Sequence, residues 1–274
     1  MTDALPRWLP NRKRQRRPPS LLGSRGPGSL YRRVKSLQLL ATRDRPAVLS
    51  FLAARYPQPL PLFERVRFLQ RMVETTNAVR CYHTQAELLA VVDAVFERAG
   101  RPGLTVVEAG AGKGASTAKL SLATARSGGR LIVFDSFRGL PKNEEKHTRL
   151  DGSPVTFFGG AFPGRLPAVQ RVVERFGAPS VVEYRKGWFE ETMPGFAEPF
   201  DVALLDVDLL ASTRTCLKHL YPRLRPGGVI FTQDGHLRAI VELLQSEQFW
   251  REEVGVPPPR IDGLGERKML ALRR

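Results

Sequence analysis

The feature that most constrains the fold is a glycine-rich turn directly after a short apolar segment. Residues 104–107 lead into an acid, Glu108, and three glycines follow at alternate positions, Gly110, Gly112 and Gly114. A run typical of a helix comes next. Glycines at such a turn accept positive φ and let a ligand approach the bare backbone, and the helix start offers unpaired N–H groups. The pattern predicts a buried strand, a tight turn and a helix.

The spacing of these glycines separates two classes of cofactor. A dinucleotide site has the pattern G-x-G-x-x-G, whereas this chain has E-x-G-x-G-x-G with Lys113 between two glycines. The latter pattern resembles motif I of class I S-adenosylmethionine-dependent methyltransferases. That resemblance implies that Glu108, Gly110, Gly112 and Ser116 hold the methionine part of S-adenosylmethionine. The alternatives are NAD, and an ordinary strand–helix connection without a ligand.

The distribution of charge divides the chain. The 274 residues carry a formal net charge of +16, and residues 1–45 hold twelve Lys and Arg against Asp3 and Asp44, which is +10. Such a composition cannot pack a core. We therefore expect a basic, disordered tail over residues 1–45, a helical cap and lead-in helix over 46–100, and one S-adenosylmethionine-binding domain over 101–274. The tail is either a solvated segment or a contact for nucleic acid or an anionic surface.

Cysteine content and hydropathy bear on the location of the protein. The two cysteines, Cys81 and Cys216, lie far apart and form no CxxC pair, so neither a disulfide framework nor a zinc site is expected. No apolar stretch approaches membrane-spanning length, and the N-terminus lacks the apolar core of a secretory signal. We expect a cytoplasmic protein.

The segment before the first strand has the apolar spacing of helices, over residues 47–55, 62–74 and 84–98. Thr84 begins the last of these with Glu87 three residues on, which is the pattern of a capping box. We expect this helix to cover one side of the sheet. His83, directly before it, is expected to be a surface or capping histidine.

A second apolar segment, residues 130–134, ends in Asp135 and Ser136. In nucleotide-binding α/β folds an acid at this place accepts hydrogen bonds from the ribose hydroxyls. We therefore assign Asp135 and Ser136 to the ribose. The alternative is that Asp135 only caps the next helix.

Further motifs follow the turn in a fixed order. They are Asp-Ser-Phe-Arg-Gly-Leu-Pro at 135–141, Lys-Gly-Trp-Phe-Glu-Glu-Thr-Met-Pro at 186–194, Leu-Asp-Val-Asp-Leu-Leu-Ala-Ser-Thr at 205–213 and Leu-Tyr-Pro-Arg-Leu-Arg-Pro-Gly-Gly at 220–228. Over roughly residues 100–240 the chain resembles the TylF/MycF-type macrolide sugar O-methyltransferases. The resemblance implies the class I methyltransferase (Rossmann-like) α/β fold, a seven-stranded, mainly parallel sheet with an N-terminal helical cap. The alternation of strands and helices favours the same fold, although the sixth strand is not evident.

Two segments are candidates for contacts with substrate and adenine. Residues 142–167 are polar and glycine-rich, and their place after the second strand is typical of a lid over the ligand. Relatives carry acidic and histidine residues there, so His147 is a candidate general base, or else an idle surface histidine. The resemblance to the methyltransferases implies that Trp188 or Phe189 stacks on the adenine; the alternative is that Trp188 is a core aromatic.

Acidic and amide side chains follow the fourth and fifth predicted strands. Asp206 and Asp208 come after residues 200–205, and Gln233 and Asp234 end the strand that begins at Gly227. Adjacent strand ends meet at one edge of a parallel sheet, so we expect Asp206, Gln233 and Asp234 to bind Mg²⁺, with Asp206 also near the cofactor. Asp208 is the second candidate base.

The chain departs from the family pattern at this edge. Relatives have Asp-Asp-Tyr where this chain has Gln233-Asp234-Gly235, and a tyrosine where Leu210 stands. One negative charge is lost, so we expect weaker binding of the metal. The loss of tyrosine bulk at Gly235 is expected to widen the pocket and to change the acceptor from the family's sugar.

The sequence thus predicts a Mg²⁺-assisted O-methyltransferase acting on a hydroxyl of a small molecule, either a secondary metabolite or a sugar, as a monomer or homo-oligomer. Two alternatives are an RNA methyltransferase anchored by residues 1–45 and a non-catalytic relative that only binds the cofactor. The small-molecule enzyme is favoured because the basic cluster lies outside the domain, and the pocket motifs lack the Arg/Lys and aromatic array that single-stranded RNA needs.

Overall fold

The computed structural model describes Gln38 and residues 41–274. The expected disorder of the tail and its basic cluster at residues 12–17 lie outside these described residues. No helix in the described part of the chain is long and apolar enough to span a membrane.

Within Gln38 and residues 41–274, nine strands form one large sheet and one hairpin. In chain order they are β1 Thr105–Ala109, β2 Arg130–Asp135, β3 Lys146–Thr148, β4 Pro154–Thr156, β5 Val182–Lys186, β6 Phe200–Leu205, β7 Leu224–Thr232, β8 Arg260–Asp262 and β9 Leu270–Arg273. The large sheet has seven strands in the order β5-β2-β1-β6-β7-β9-β8. β1 pairs in parallel with both β2 and β6, while β9 runs antiparallel to β7 and β8. The predicted seven-stranded, mainly parallel sheet is confirmed.

Eight α-helices surround the sheet in the described part of the chain. They are α1 Arg45–Ala53, α2 Leu62–Ala78, α3 Gln85–Phe96, α4 Ala115–Arg126, α5 Leu166–Phe176, α6 Phe189–Thr192, α7 Leu210–Leu220 and α8 Arg238–Gln245. Alternate strand residues face opposite layers. Val106, Val133 and Val202 pack with helices α1 to α4, whereas Val107, Ile132 and Ala203 pack with α7 and α8. Helices therefore cover both faces, as predicted.

The helical cap is fastened to the sheet layer by buried polar contacts. Thr84 and Glu87 form the predicted capping box, with Glu87 N–H donating to Thr84 Oγ1 at 3.0 Å and Thr84 N–H donating to Glu87 Oε2 at 2.7 Å. Tyr56, between α1 and α2, donates its hydroxyl to Asp93 Oδ1 at 2.5 Å. The cap thus joins helix α3, which itself packs on the sheet.

The chain end contains the elements that the sequence did not reveal. The sixth strand is β8, a three-residue edge strand with the sequence Arg-Ile-Asp, which is too short for a period-two pattern. Helix α8 ends at Gln245, and a π-helical turn, Phe249–Val254, follows. Trp250 in this turn is fully buried, and its indole N–H donates to the carbonyl of Leu244 at 2.8 Å.

Candidate functional site

A cleft of about 1630 Å³ opens at the carboxyl ends of the parallel strands, where open α/β sheets bind their ligands. The predicted site residues that line it are Gly110, Gly112, Ser116, Asp135, Ser136, Trp188, Asp206, Asp208 and Gln233. Three others, Glu108, His147 and Asp234, are buried beside it. The fold thus brings most of the predicted residues to one cavity.

The glycine turn is in close backbone contact with the end of β6 and with the segment before α5. Gly110 has φ of 91°, and a Cβ on it would lie 2.1 Å from the carbonyl oxygen of Asp206. A Cβ on Gly164, in the segment after β4, would lie 1.6 Å from the carbonyl oxygen of Gly112. Only glycine fits at these two contacts, which hold the turn between the end of β6 and the segment before α5.

Asp135 fixes the shape of the same turn. Its Oδ2 accepts hydrogen bonds from the N–H groups of Ala111 at 2.7 Å and Gly112 at 3.3 Å, and its Oδ1 accepts one from Phe137 at 2.6 Å. Burial raises the pKa of the carboxyl, and these three hydrogen bonds lower it. No helix follows directly, so Asp135 ties two turns together rather than capping a helix.

Ser136 is engaged within the loop that follows β2. Its hydroxyl donates to the carbonyl of Gly139 at 3.0 Å and accepts from the N–H of Arg138 at 3.1 Å. The side chain therefore stabilises the loop while one side of the residue faces the cleft.

Glu108 lies under the turn with no exposed surface. Neither carboxylate oxygen has a hydrogen bond within the described part of the chain. Burial raises the pKa of Glu108 to about 7, and the nearby hydroxyls of Ser116 and Thr117 oppose that rise. Glu108 is thus a buried, easily protonated acid directly behind the glycines.

Trp188 is half-buried at the rim of the cleft, directly before helix α6. It belongs to neither of the two large apolar clusters of the core. Of the two sequence interpretations, the geometry favours the one in which the ring is offered to a ligand.

Three carboxylates converge at the other end of the cleft. Ligand oxygens of Asp206, Asp208 and Asp234 all lie within 4.8 Å of one another. Asp234 Oδ2 accepts from the N–H groups of Val207 at 3.3 Å and Asp208 at 3.1 Å, so it holds the segment after β6. Burial, and then the repulsion between the carboxylates, raises the pKa values of Asp206 and Asp208.

Gln233 is oriented differently from the sequence expectation. Both ends of its amide are satisfied when Nε2 donates to Asp206 Oδ1 at 2.6 Å and Oε1 accepts from Lys268 Nζ at 3.0 Å. In the opposite orientation Nε2 has one hydrogen bond, to the carbonyl of Tyr82 at 3.3 Å. With the amide assigned in the orientation that satisfies both of its ends, the nitrogen faces Asp206 and the oxygen faces Lys268, and Asp208 is the third carboxylate of the cluster.

Two residues of this end were not found from the sequence. His83 was expected at the surface, yet it is buried and its Nε2 lies 3.6 Å from Asp206 Oδ2. Burial, with the nearby charges of Lys268 and Lys119, lowers the pKa of His83 well below its usual value. Lys268 comes from the loop before β9. No local pattern marks either residue, because their role depends on contacts with Asp206 and Gln233.

The loop that carries His83 is held by a buried lysine. Lys119 of helix α4 has no exposed surface, and its Nζ donates to Thr76 Oγ1 at 2.6 Å and Gln85 Oε1 at 3.4 Å. These contacts join α4 to both cap helices that flank the loop. Tyr82 of the same loop packs edge-on against Phe162 of the residue 142–167 segment, with ring centroids 5.1 Å apart.

The segment of residues 142–167 contains the β3–β4 hairpin and closes over the acid cluster. Glu145 accepts hydrogen bonds from the N–H groups of Leu210 at 2.8 Å and Ala211 at 3.0 Å, the first residues of helix α7. The N–H of Leu150 donates to the carbonyl of His236 at 3.1 Å. The segment is therefore ordered by contacts with the loops after β6 and β7.

His147 lies inside this hairpin rather than on the wall of the cleft. It is 3% exposed, its Nε2 lies 3.0 Å from Glu145 Oε2, and its ring packs edge-on against Phe157 at 5.2 Å. In this arrangement Asp208 is open to the cleft and His147 is not.

Gly235 does not widen the pocket. It is not among the residues that line the cleft. A Cβ on it would meet the side chain of Leu270 at 2.5 Å and the carbonyl oxygen of Arg267 at 2.7 Å. The expectation that this glycine enlarges the acceptor site is therefore wrong, because the residue faces the start of β9.

Comparison with known proteins gives the family. The profile of the macrocin-O-methyltransferase (TylF) family matches residues 85–265. The 8-demethyl-8-(2,3-dimethoxy-alpha-L-rhamnosyl)-tetracenomycin-C 4'-O-methyltransferase of Streptomyces olivaceus is 31% identical over 174 residues, 61% of this chain and 65% of that protein. The mycinamicin III 3''-O-methyltransferase of Micromonospora griseorubida is 36% identical over 109 residues, 37% of this chain and 42% of that protein.

The match to these two relatives is partial, because the chain spans 65% and 42% of their lengths. The fold extends further: the structure of the O-methyltransferase NovP superposes with a TM-score of 0.57 at 20% identity, over 90% of this chain and 99% of that one. The family profile covers more than half of the chain, including the glycine turn, Asp135 and the acid cluster. The chain belongs to the macrocin-O-methyltransferase (TylF) family.

Proposed function

We propose that the protein is an S-adenosylmethionine-dependent O-methyltransferase that acts on a hydroxyl of a small molecule, a secondary metabolite or a sugar. One observation carries the proposal: a single cleft joins a backbone-lined glycine turn to a cluster of three carboxylates, two of them half-buried in its wall and the third, Asp234, buried. The two relatives described above are named as O-methyltransferases, one of a rhamnosyl-tetracenomycin C and one of mycinamicin III.

The cleft divides into two ends under this proposal. The cofactor end comprises Glu108, Gly110, Gly112, Ser116, Asp135, Ser136 and Trp188; the acceptor end comprises Tyr82, His83, Asp206, Asp208, Gln233, Asp234, Lys268 and the segment of residues 142–167. The glycine turn takes the methionine part of S-adenosylmethionine, Asp135 and Ser136 face the ribose, and Trp188 stacks on the adenine. The bound cofactor supplies an electrophilic methyl group.

The protein's own task is then to position the acceptor hydroxyl and to take its proton. Asp208 lines the cleft, and burial raises its pKa, which makes its carboxylate a better proton acceptor near neutral pH. His147 reaches the acceptor only if the hairpin moves, since it is shut inside β3. Of the two candidate bases we therefore assign Asp208.

The residues present fit a divalent cation in part. Oxygens of Asp206, Asp208 and Asp234 within 4.8 Å of one another suit the carboxylate coordination of Mg²⁺. Gln233 does not contribute, because its oxygen faces Lys268. Bound Mg²⁺ would lower the pKa of the acceptor hydroxyl, so turnover in the presence of EDTA decides whether the cation is used.

Calorimetric titration with S-adenosylhomocysteine, with NAD titrated in parallel, tests the cofactor. We expect S-adenosylhomocysteine to bind and NAD not to bind. In Asp135→Ala the N–H groups of Ala111 and Gly112 lose their acceptor, so the affinity falls by about tenfold or more. Absence of binding, or equal binding by Asp135→Ala, would contradict the assignment. A screen of candidate acceptors with labelled S-adenosylmethionine then identifies the substrate.

A further inference from the structure

The acid cluster of the acceptor end contains a positive charge of its own. Lys268 Nζ lies 3.0 Å from Gln233 Oε1, and Lys268 lines the same cleft as Asp206 and Asp208. Burial raises the pKa values of Asp206, Asp208 and Asp234, and the ammonium of Lys268 opposes that rise at all three. Lys268 therefore acts electrostatically on every oxygen donor that a cation would use.

Gln233 carries the influence of Lys268 to Asp206. In the assigned orientation, which satisfies both ends of the amide, the oxygen accepts from Lys268 and the nitrogen lies 2.6 Å from Asp206 Oδ1 and 3.1 Å from Oδ2. Both carboxylate oxygens of Asp206 thus have a donor already, and Oδ2 also faces His83 Nε2 at 3.6 Å. A cation that binds Asp206 has to displace this amide.

We propose that Lys268 and Gln233 form a built-in counter-charge that weakens divalent cation binding at Asp206, Asp208 and Asp234, so that Lys268 sets how strongly this enzyme depends on a metal. The inference rests on the proposed function only in taking this cluster as the place where the acceptor hydroxyl binds. A fixed ammonium repels a divalent cation nearby, and an amide nitrogen offers a cation no ligand. The two effects act in the same direction.

The electrostatic effect and the ligand effect are separable by substitution. Lys268→Met removes the ammonium and frees the Gln233 amide to turn its oxygen towards the acids. Gln233→Asp removes the amide donor and adds a carboxylate beside Asp206. Lys218→Met is the matched control, since Lys218 is an exposed lysine on helix α7 and does not line the cleft.

The experiment is a titration of each protein with Mn²⁺, in which the electron paramagnetic resonance signal of free Mn²⁺ reports binding without any turnover. We expect weak binding by the unaltered chain, binding tighter by about tenfold in Lys268→Met and in Gln233→Asp, and no change in Lys218→Met. Asp208→Asn in the Lys268→Met background should reverse the gain, which locates the ion at the cluster.

Equal or weaker Mn²⁺ binding by Lys268→Met, with its thermal unfolding unchanged, overturns the role of Lys268. If Lys268→Met does not fold, Lys268→Gln, which also removes the ammonium, decides: a gain supports the counter-charge, and no gain overturns it. Titration of the same samples with S-adenosylhomocysteine tests the proposed function separately. Loss of cofactor binding in the unaltered chain would remove that function without changing the Mn²⁺ comparison.

Discussion

At the cofactor end of the cleft the groups that face the ligand belong largely to the backbone, whereas at the acceptor end they are side chains from separate segments. The turn after β1 is shaped by N–H groups bonded to Asp135 and by close backbone contact at Gly110. The acceptor end joins His83, Asp206, Gln233 and Lys268 through side-chain contacts. The first end is fixed by local chain geometry, and the second by long-range packing.

Because of this difference, the two ends of the cleft should respond differently to substitutions. A backbone site fails when a Cβ is added, whatever its chemistry, because the ligand-binding surface itself is displaced. A side-chain site fails in proportion to the one contact that is removed. Substitutions that add a Cβ at a close backbone contact of the cofactor end should therefore abolish binding, and those at the acceptor end should change rates, metal affinity or KM while the fold persists.

The largest effect is expected for Gly110→Ala. The new Cβ would lie 2.1 Å from the carbonyl oxygen of Asp206, whereas a Cβ on Gly112 meets nothing within 4 Å. Both positions have positive φ, so Gly112→Ala is the control for backbone strain alone. We expect Gly110→Ala to abolish S-adenosylhomocysteine binding and to lower the free energy of unfolding by about 4 kcal/mol, against about 1 kcal/mol for Gly112→Ala. If Gly110→Ala and Gly112→Ala lost equal cofactor affinity in calorimetry and equal stability in urea unfolding, the contact with Asp206 would not be the cause.

Next in size is the effect of Asp208→Asn on methyl transfer. Loss of the proton acceptor should reduce kcat by about 10²- to 10⁴-fold with the affinity for S-adenosylhomocysteine unchanged. His147→Gln, at a position closed off from the cleft, should reduce kcat by less than about tenfold. Rates measured at saturating acceptor compare the two variants. A larger loss in His147→Gln would assign the base to the hairpin instead.

A smaller effect, on stability, is expected for Glu108→Gln. Burial raises the pKa of Glu108 from 4.5 to about 7 in the folded chain, so the unfolded chain releases this proton first. The free energy of unfolding therefore falls as the pH rises from 4.5 to 7, by about 3 kcal/mol in total. Glu108→Gln should remove this contribution to the fall. Urea unfolding at pH 5 and at pH 8 measures the difference.

Some pH dependence remains in that variant because burial also raises the pKa of Asp93 to about 7. Asp93→Asn should therefore remove a further part of the fall in the free energy of unfolding with rising pH. If the free energy of unfolding changed with pH in the same way in the unaltered chain and in Glu108→Gln, burial of Glu108 would not be a cause of the fall.

The smallest effect is expected for Glu145→Gln, at the acceptor end. The variant weakens the acceptor for the N–H groups of Leu210 and Ala211 and should cost about 1 kcal/mol. Because Glu145 holds the hairpin over the acceptor, KM for the acceptor should rise by about fivefold while S-adenosylhomocysteine binds as before. An equal loss of cofactor affinity would mean that the two ends are not independent.

The sequence predicts the cofactor end better than the acceptor end for the same physical reason. The strand, the glycines and Asp135 lie in short segments whose roles follow from local geometry, and β1 and β6 are adjacent and parallel as expected. His83 and Glu145 carry no local pattern, and each acts on a residue more than 60 positions away. Lys268 carries none either, and its contact is with Gln233 on a different strand end. The orientation of Gln233 likewise depends on Lys268, which no motif contains.

The contacts of the buried Lys119 bear on where the folded unit around the cleft begins along the chain. The stretch shared with the family begins at residue 85, yet Tyr82 and His83 stand in the wall of the cleft, and Lys119 ties both flanks of their loop to helix α4. The match to the family profile and the wall of the cleft therefore start at different residues. A protein trimmed to the matched stretch would keep the glycine turn while leaving a lysine without its oxygen partner at Thr76, and an open side at the proposed acceptor end.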